Sequence, residues 1–553
     1  MRLTPFAKLF ITLVILGVAG YTSWHYFGDQ IRCWAAPEKC SVSPGGGAPK
    51  PTGGGLTALD RNDFNELSGA PADPSRQARP QVATGAQMAG GKLPRPLVVG
   101  INTWAGHAPG IVANYGLAAG NSRGLYKSQY GLDVVFKVID DPAAKFAAFQ
   151  AGQIDVMWDT VDSWAREASV LAEGKVRGKA ILMQDWSRGG DGIASLATIK
   201  SVEDLAGKKI ATTEFTPSHW LLLYLLSQSG LTAPQKAEIE KNLIITQDAP
   251  AAAAMFKSGK VDAAVTWEPD LSGAISARGD AAHVLISTTA ATNVIADVLV
   301  ARDDIIAQAP GTIASFVAGW LQGIEQMKND PDGTNAIIGD ALKLDKDTVS
   351  GMLSGLKLTG FADSAQFFGL TGAKAHFETL FDTAFRIWRK KGVVTRAIDA
   401  RDNYDPRFVQ ALGDKYKGQV VDEPKVAARK ATAKDTPILN KTLSINFTPG
   451  SAEIMPGSYF TLDSLGETMI SFGSTYLRIE GNTDATGARA GNIALSQKRA
   501  DAVRDYVVKN FGVPAERFQT LGHGPDKPLA PNDTEAGRQL NRRTDIKVML
   551  AAQ

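Results

Sequence analysis

The sequence is poor in the residues that build covalent or inorganic frameworks. Two cysteines and six histidines in 553 residues exclude a disulfide scaffold and a cysteine-built zinc site, and no residue spacing implies a metal. An excess of charge is also missing. The 59 basic and 57 acidic residues leave a net charge of +2, which gives no electrostatic footprint for nucleic acid and excludes that class of partner. Hydrophobic residues at 44% and charged residues at 21% are those of a globular chain and exclude a polytopic membrane protein. Catalytic signatures are absent as well: no GxSxG, HExxH, Walker loop or CxxC occurs. Ser354 and Lys357 match SxxK, but no KTG accompanies them. We therefore expect a binding protein without enzyme activity, metal or cofactor.

The length, several times that of a usual domain, calls for two to four folded units. Arg2 and Lys8 precede an apolar run whose aromatic end is Tyr21, Trp24, Tyr26 and Phe27. The nineteen residues Leu9 to Phe27 are long enough for a hydrocarbon core of ~30 Å. This favours an uncleaved inner-membrane anchor over a signal peptide cut near Val18 and Gly20. The positive flank keeps the N-terminus in the cytoplasm and exports the rest. Cys33 and Cys40 then bracket CWAAPEKC, a disulfide loop in an oxidising compartment or else two free thiols. A Gly/Pro-rich stretch follows, with an expected root-mean-square span of ~40 Å for some fifty flexible residues. The domains expected are 1–28 (anchor or signal), 29–94 (linker), 95–418 (body), 419–437 (linker) and 438–553 (C-terminal unit).

The body alternates β-rich runs (PLVVGI, LDVVFKVI, KKIATT, NLIITQ, DAAVTW, AHVLIS, DVLVAR) with helical patterns, which predicts an α/β fold with mostly parallel sheets. It contains an internal echo: AAFQAGQIDVMW and AMFKSGKVDAAVTW each read as a helix end, a Gly stop and a strand closing on Trp. Two copies of one step point to two similar lobes. Residues 97–417, through VVGINTWAGHAPG, TTEFTPSHWLLLYLL and SGKVDAAVTWEPDL, resemble the periplasmic substrate-binding proteins of the nitrate, sulfonate and taurine class of ABC importers. The resemblance implies a two-lobed (type II-like) periplasmic binding protein whose lobes close over a small solute.

In open α/β sheets ligands collect at the carboxyl ends of strands. The segments there supply the expected cleft residues: Trp104, Trp158, Asp159, Thr213, Glu214, Thr216, Ser218, Trp267 and Glu268. The family holds an anion in a small Gly/Ser/Thr loop, but Glu214 stands in that loop here. Carboxylates beside tryptophan faces, with Asp297 in addition, suit a cation and point to an amine-bearing or zwitterionic solute. The structural alternative has Asp155, Asp262 and Glu268 capping strands or helices, and the tryptophans as packing.

From Ile438 the sequence LSINFTPGSAEI, LRIEGNTDATG, LSQKRADAVRDYV and NRRTDIKV resembles the OmpA-like peptidoglycan-binding domain, a small α+β fold. A helix from Ser496 to Asn510, with Ala500, Val503 and Val507 on one face, is ended by Gly512 and Pro514. The resemblance implies that Asp484 and Arg499, fifteen positions apart, grip the zwitterionic end of diaminopimelate in the wall stem peptide. Thr483, Asn492 and Arg542 would line the same site. A carboxylate takes the ammonium and a guanidinium fork takes the carboxylate. The alternative is an ion pair that only ties loop to helix.

Together these features describe an inner-membrane, single-pass protein with its bulk in the periplasm. It would bind a small solute and peptidoglycan, with an ABC permease or an envelope sensor as partner. A structural role, in which the body no longer binds solute and docks proteins between membrane and wall, is the competing reading.

Overall fold

The computed structural model describes residues 90–172, 174–372, 375–394, 396–421 and 437–550. The expected anchor Leu9–Phe27, Cys33 and Cys40, the tether up to residue 89 and most of the second linker lie outside the described residues. Among the described residues no helix is long and apolar enough to cross a membrane.

The body lays down β1 (Leu97–Ile101), β2 (Val134–Val138), β3 (Val156–Thr160) and β4 (Gly178–Ser187) in one lobe. It crosses to a second lobe as β5 (Asp191–Leu196), β6 (Ile210–Thr213), β7 (Ile244–Thr246), β8 (Ala263–Trp267) and β9 (Ala282–Ser287). It then returns to the first as β10 (Ala296–Arg302) and β11 (Leu356–Leu358). The helices that position the cleft are α1 (Pro142–Gln150), α2 (Val161–Leu171), α3 (Pro217–Gln228), α4 (Ala249–Lys257), α5 (Asp270–Ser276) and α6 (His376–Lys390).

The first sheet has the order β11-β4-β10-β3-β1-β2 and the second β7-β6-β8-β5-β9. β1 runs parallel to β2 and β3, as β6 does to β7 and β8. β10 and β5 are antiparallel to β3 and β8. The two expected lobes are present with matching strand orders, but the sheets are mixed rather than mostly parallel. The reason is the double crossing: a strand arriving from the other lobe enters its sheet from the opposite end.

The internal echo is a repeated structural step. Asp141 and Asp248 cap α1 and α4 by accepting from the Ala144 and Ala251 amides, both at 2.8 Å. Gly152 (φ +69°) and Gly259 (φ +73°) turn the chain out of each helix in the left-handed region that glycine tolerates. Asp155 and Asp262 then anchor the next strand to its neighbour. The Asp155 carboxylate accepts from the Val98 amide at 3.0 Å, and that of Asp262 from the Lys209 amide at 2.9 Å. Both aspartates therefore serve the sheets, as the structural alternative supposed, and Asp155 also pairs with Arg95 at 2.6 Å.

The C-terminal domain consists of β12 (Leu439–Leu443), α7 (Tyr459–Ser471), β13 (Thr475–Asn482), α8 (Arg489–Phe511), β14 (Phe518–Gly524), α9 (Glu535–Asn541) and β15 (Thr544–Leu550). Its sheet has the order β12-β15-β13-β14. The expected helix begins earlier than its apolar pattern shows, because Arg489 to Ile493 lie beyond the sheet-facing stripe. Ala500, Val503 and Val507 are fully buried, and Gly512 (φ +66°) ends the helix. The domain packs directly on the body: Tyr224 and Phe472 bring their rings to 6.3 Å, and Thr468 donates to Gln228 at 2.8 Å.

Candidate functional sites

The carboxyl ends of β1 and β3 bring together a buried polar cluster in the first lobe. His107 is fully buried; Gln184 donates to its Nδ1 at 2.8 Å and its Nε2 meets the Asn102 side-chain oxygen at 2.6 Å. Burial, with the nearby Lys145 charge, drives the imidazole down to about 3, so the ring is neutral. Its ring meets Trp158 edge-on at 5.5 Å, and the Trp158 indole donates to Asp297 at 2.7 Å. Lys145, 2% exposed, lies over the Trp158 ring at 4.4 Å. It donates to the Trp158 carbonyl at 2.6 Å and to Asp159 at 3.3 Å.

More carboxyl groups surround this pair than the sequence reading foresaw. Asp162, 3% exposed at the start of α2, has neither carboxyl oxygen hydrogen-bonded among the described residues. Burial raises it to about 7. Burial likewise raises Asp185 to about 7 and Asp191 to about 6, and pushes Glu167 and Asp297 well above the carboxylate range. Among the described residues no group of three or more His, Cys, Asp or Glu side chains is arranged to hold a metal. Gly106 approaches closely, as its turn required, but what it meets is Asp185: a Cβ there would lie 2.0 Å from the carboxyl oxygen.

The second lobe contributes the start of α3. Thr216 caps the helix, accepting from the His219 amide at 3.4 Å while donating to the Thr213 carbonyl at 2.6 Å. Thr213 shares a hydroxyl contact with Thr246 at 3.0 Å. Ser218 is fully buried with no hydrogen-bond partner for its hydroxyl among the described residues. Arg166 of α2 lies over Phe215 at 5.1 Å, and the Trp388 indole of α6 donates to the Asp162 carbonyl at 2.9 Å. Trp388 also faces His219 at 5.7 Å. These contacts join the two lobes at Asp162.

In the C-terminal domain all five expected residues converge. Asp484 accepts from Arg542 at 2.7 Å and from the Thr486 amide at 2.9 Å. Burial would raise its carboxyl, but these bonds bring it below the usual range. Asn492 ties the loop through the Asp484 and Thr486 carbonyls at 3.4 and 2.9 Å, and Thr483 donates to the Asp484 carbonyl at 2.8 Å. Arg499 does not pair with Asp484. Its Nε donates to the Ser451 carbonyl at 2.9 Å and its guanidinium lies 4.8 Å from the Phe447 ring centre, with no carboxylate partner among the described residues. The Asp484 charge reaches the Arg499 guanidinium, so the site presents a carboxylate and a guanidinium near one another, the complement of a zwitterion.

Residues 446–542 match the family model described as OmpA family, and residues 113–334 match the model described as NMT1/THI5 like. The chain carries an NMT1/THI5-like body and an OmpA-like domain. The OmpA-like domain is 34% identical over 116 residues to outer membrane porin F of Pseudomonas aeruginosa, covering 21% of this chain and 33% of the porin. It is 36% identical over 104 residues to the peptidoglycan-binding protein ArfA of Mycobacterium bovis, covering 19% and 32%. The chain therefore spans about a third of the length of these curated relatives. The periplasmic aliphatic sulphonate binding protein SsuA of Escherichia coli aligns with a TM-score of 0.44 at 19% identity, over 56% of this chain and 98% of SsuA.

In the NMT1/THI5-like body the expected cleft residues divide. Trp104 and Trp158 stand at the carboxyl ends of first-lobe strands, half-buried, as does Trp267 in the second lobe. Ser218 keeps an unused hydroxyl. Three carboxylates require correction. Asp159 is paired with Lys145. Glu268 caps α5, accepting from the Ser272 amide at 3.1 Å and hydroxyl at 2.6 Å. Glu214 is exposed, because Phe215 turns the chain at φ +59° and leaves it outside. Thr213 and Thr216 are occupied in holding their own loop. The residues missed were Lys145, Asp162, Asp185 and Asp191. Lys145 had a readable signal: it lies on the stripe of α1 that carries the buried Ala148 and Phe149. In the OmpA-like domain the missed residue is Phe447, beneath Arg499.

Proposed function

We propose that this chain is a cell-envelope receptor, anchored in the inner membrane by Leu9–Phe27, that binds a small solute in its body and peptidoglycan in its OmpA-like domain. Delivery of the solute to an ABC permease, or its report to an envelope sensor, follows from that design. Support for the wall reading comes from the juxtaposed Asp484 carboxylate and open Arg499 guanidinium, within a domain whose relatives include a protein named for peptidoglycan binding. The solute reading rests on Asp162: a buried carboxyl without a hydrogen bond is costly unless a ligand supplies one. A carboxyl-rich cleft walled by tryptophan favours an amine-bearing or zwitterionic solute.

The test is thermal melting of the full chain against a panel of amines, amino acids, sulfonates and nitrate. A ligand at 100 times its Kd should add ~2.7 kcal/mol. Asp162 folds with a raised value of about 7, so its stabilising contribution is complete below the unfolded value of about 3.9 and is lost as pH rises through 7. His107 and His219, depressed to about 3 and about 4, oppose this, because near pH 6.5 about half of their unfolded imidazoles still bind protons, but Asp185, raised to about 7, adds to Asp162 and keeps the sign. The ligand-free chain should therefore melt lower at pH 8 than at about 6.5. A cationic ligand, which favours ionised Asp162, should bind more tightly over the same interval, and Asp162→Asn should weaken that dependence to the part left by Asp185. Stabilisation by sulfonates or nitrate alone, indifferent to Asp162→Asn, would overturn the cationic reading. No response across the panel would favour the structural role.

The anchor is tested by fractionation: the protein should remain with inner membranes through high-salt and alkaline washes with its N-terminus intact. A soluble form beginning near Tyr21 would contradict it.

A further inference from the structure

Two segments carry the chain between the lobes, 188–190 after β4 and 288–295 before β10. They are laced together. The Thr288 hydroxyl contacts that of Ser187 at 3.0 Å and accepts from the Gly189 amide at 2.8 Å. Arg188 reaches across to the Thr292 carbonyl at 2.9 Å and to the Asn293 side-chain oxygen at 2.8 Å. Asn293 is then held from the other side by the OmpA-like domain. Its backbone amide donates to the Ser471 carbonyl at 3.0 Å and its side-chain nitrogen to the Ile470 carbonyl at 2.8 Å. One asparagine thus bonds the second crossover to Arg188 of the first and to the end of α7.

The same domain also grips the second lobe. Glu203, which also accepts from the Gly230 amide of its own lobe at 3.0 Å, accepts from the Asn440 amide at 3.2 Å, and the Val202 amide donates to the Ile438 carbonyl at 3.2 Å. Val294, next to Asn293, accepts from the Trp220 indole of α3 at 3.0 Å. Hinge bending is absorbed by φ/ψ changes in a few connecting residues. Here those residues are fastened at 292–294.

We propose that the OmpA-like domain is a clamp on the hinge of the body: seated on Asn293, it restrains bending at both crossovers, so the domain that carries the wall site also sets the mobility of the two lobes. This rests on the reading of the body as a binding protein that bends at its crossovers. A failure of the solute reading would appear as an unresponsive ligand panel, whereas the clamp is tested without any solute.

The seat contains its own probe. A Cβ on Gly473 would lie 2.4 Å from the Thr292 hydroxyl, so Gly473→Ala wedges the domain off the crossover, and Thr292→Ala makes room for it again. Hydrogen exchange is measured on the full chain without ligand. Gly473→Ala should accelerate exchange of the Asn293 amide and, with it, of the Gly189 and Gly190 amides, by about tenfold. The double variant Gly473→Ala/Thr292→Ala should restore protection at all three. Asn293→Ala, which removes both side-chain bonds without a wedge, should give the same acceleration at Gly189 and Gly190. Acceleration confined to residue 293 would reduce the contact to passive packing, and unchanged exchange throughout would show that the domain is not seated there; either result overturns the clamp.

Discussion

Arg499→Ala and Asp484→Ala should each abolish retention of the full chain on diaminopimelate-type sacculi, while far-ultraviolet circular dichroism and the melting temperature should stay close to those of the parent. Each substitution removes one charge from a site that would receive a zwitterion and leaves the opposite ligand charge unpaired. Truncating one member of such a hydrogen-bonded charge pair costs about 2–5 kcal/mol, or a factor of about thirty or more in Kd. The domain should tolerate both changes. Arg499 gives up one bond to the Ser451 carbonyl and its place over Phe447. When Asp484 is lost, Arg542 still bonds Glu535 at 2.6 Å. Arg499→Lys separates charge from geometry: it keeps the cation but loses the planar fork, so retention should fall between parent and Arg499→Ala. Undiminished retention of the Asp484→Ala/Arg499→Ala protein would remove this site from the wall-binding account.

The cluster around Asp484 was legible as a cluster because its residues lie in short segments read together, from Thr483 to Arg499, with Arg542 added by a second segment. The one unforeseen element there, the pairing of Asp484 with Arg542 rather than Arg499, depends on α9 delivering Arg542 across the site. The cleft was less legible for a physical reason: the partners that decide its electrostatics come from elsewhere in the fold. Lys145 reaches Asp159 from the preceding helix, and Asp185 comes from β4. That strand, buried along nearly all its length, shows no alternation and went unread, as did the neighbouring β5. Glu214 was placed in the right loop, but the turn at Phe215 that leaves it exposed has no signature in the local sequence. The echo, by contrast, was readable at both copies. An Asp cap, a Gly exit and an Asp that holds the next strand are local devices, and each does the same work in both lobes.

Lys145 is the residue on which the first lobe should depend most. It is a buried cation within a group of carboxyls that includes Asp159, Glu167 and Asp162, where burial first and then the Asp159 charge push the Glu167 carboxyl up. Lys145→Met preserves length and apolar contact with Trp158 but leaves Asp159 buried without its partner. Removing one member of a buried pair costs about 3–5 kcal/mol. At roughly 2–4 °C per kcal/mol for a body of this size, the melting temperature should fall by about 10 °C. The double change Lys145→Met/Asp159→Asn removes both charges and should recover most of the loss, because the cost lies in the orphaned carboxylate rather than in the absence of attraction. Asp159→Asn alone should cost less than Lys145→Met, since Lys145 keeps the Trp158 carbonyl at 2.6 Å and the face of its ring. The four melting curves form a double-mutant cycle. A Lys145→Met protein within about 1 kcal/mol of the parent, or a double variant no better than Lys145→Met, would show that water or a rearranged carboxyl already relieves Asp159.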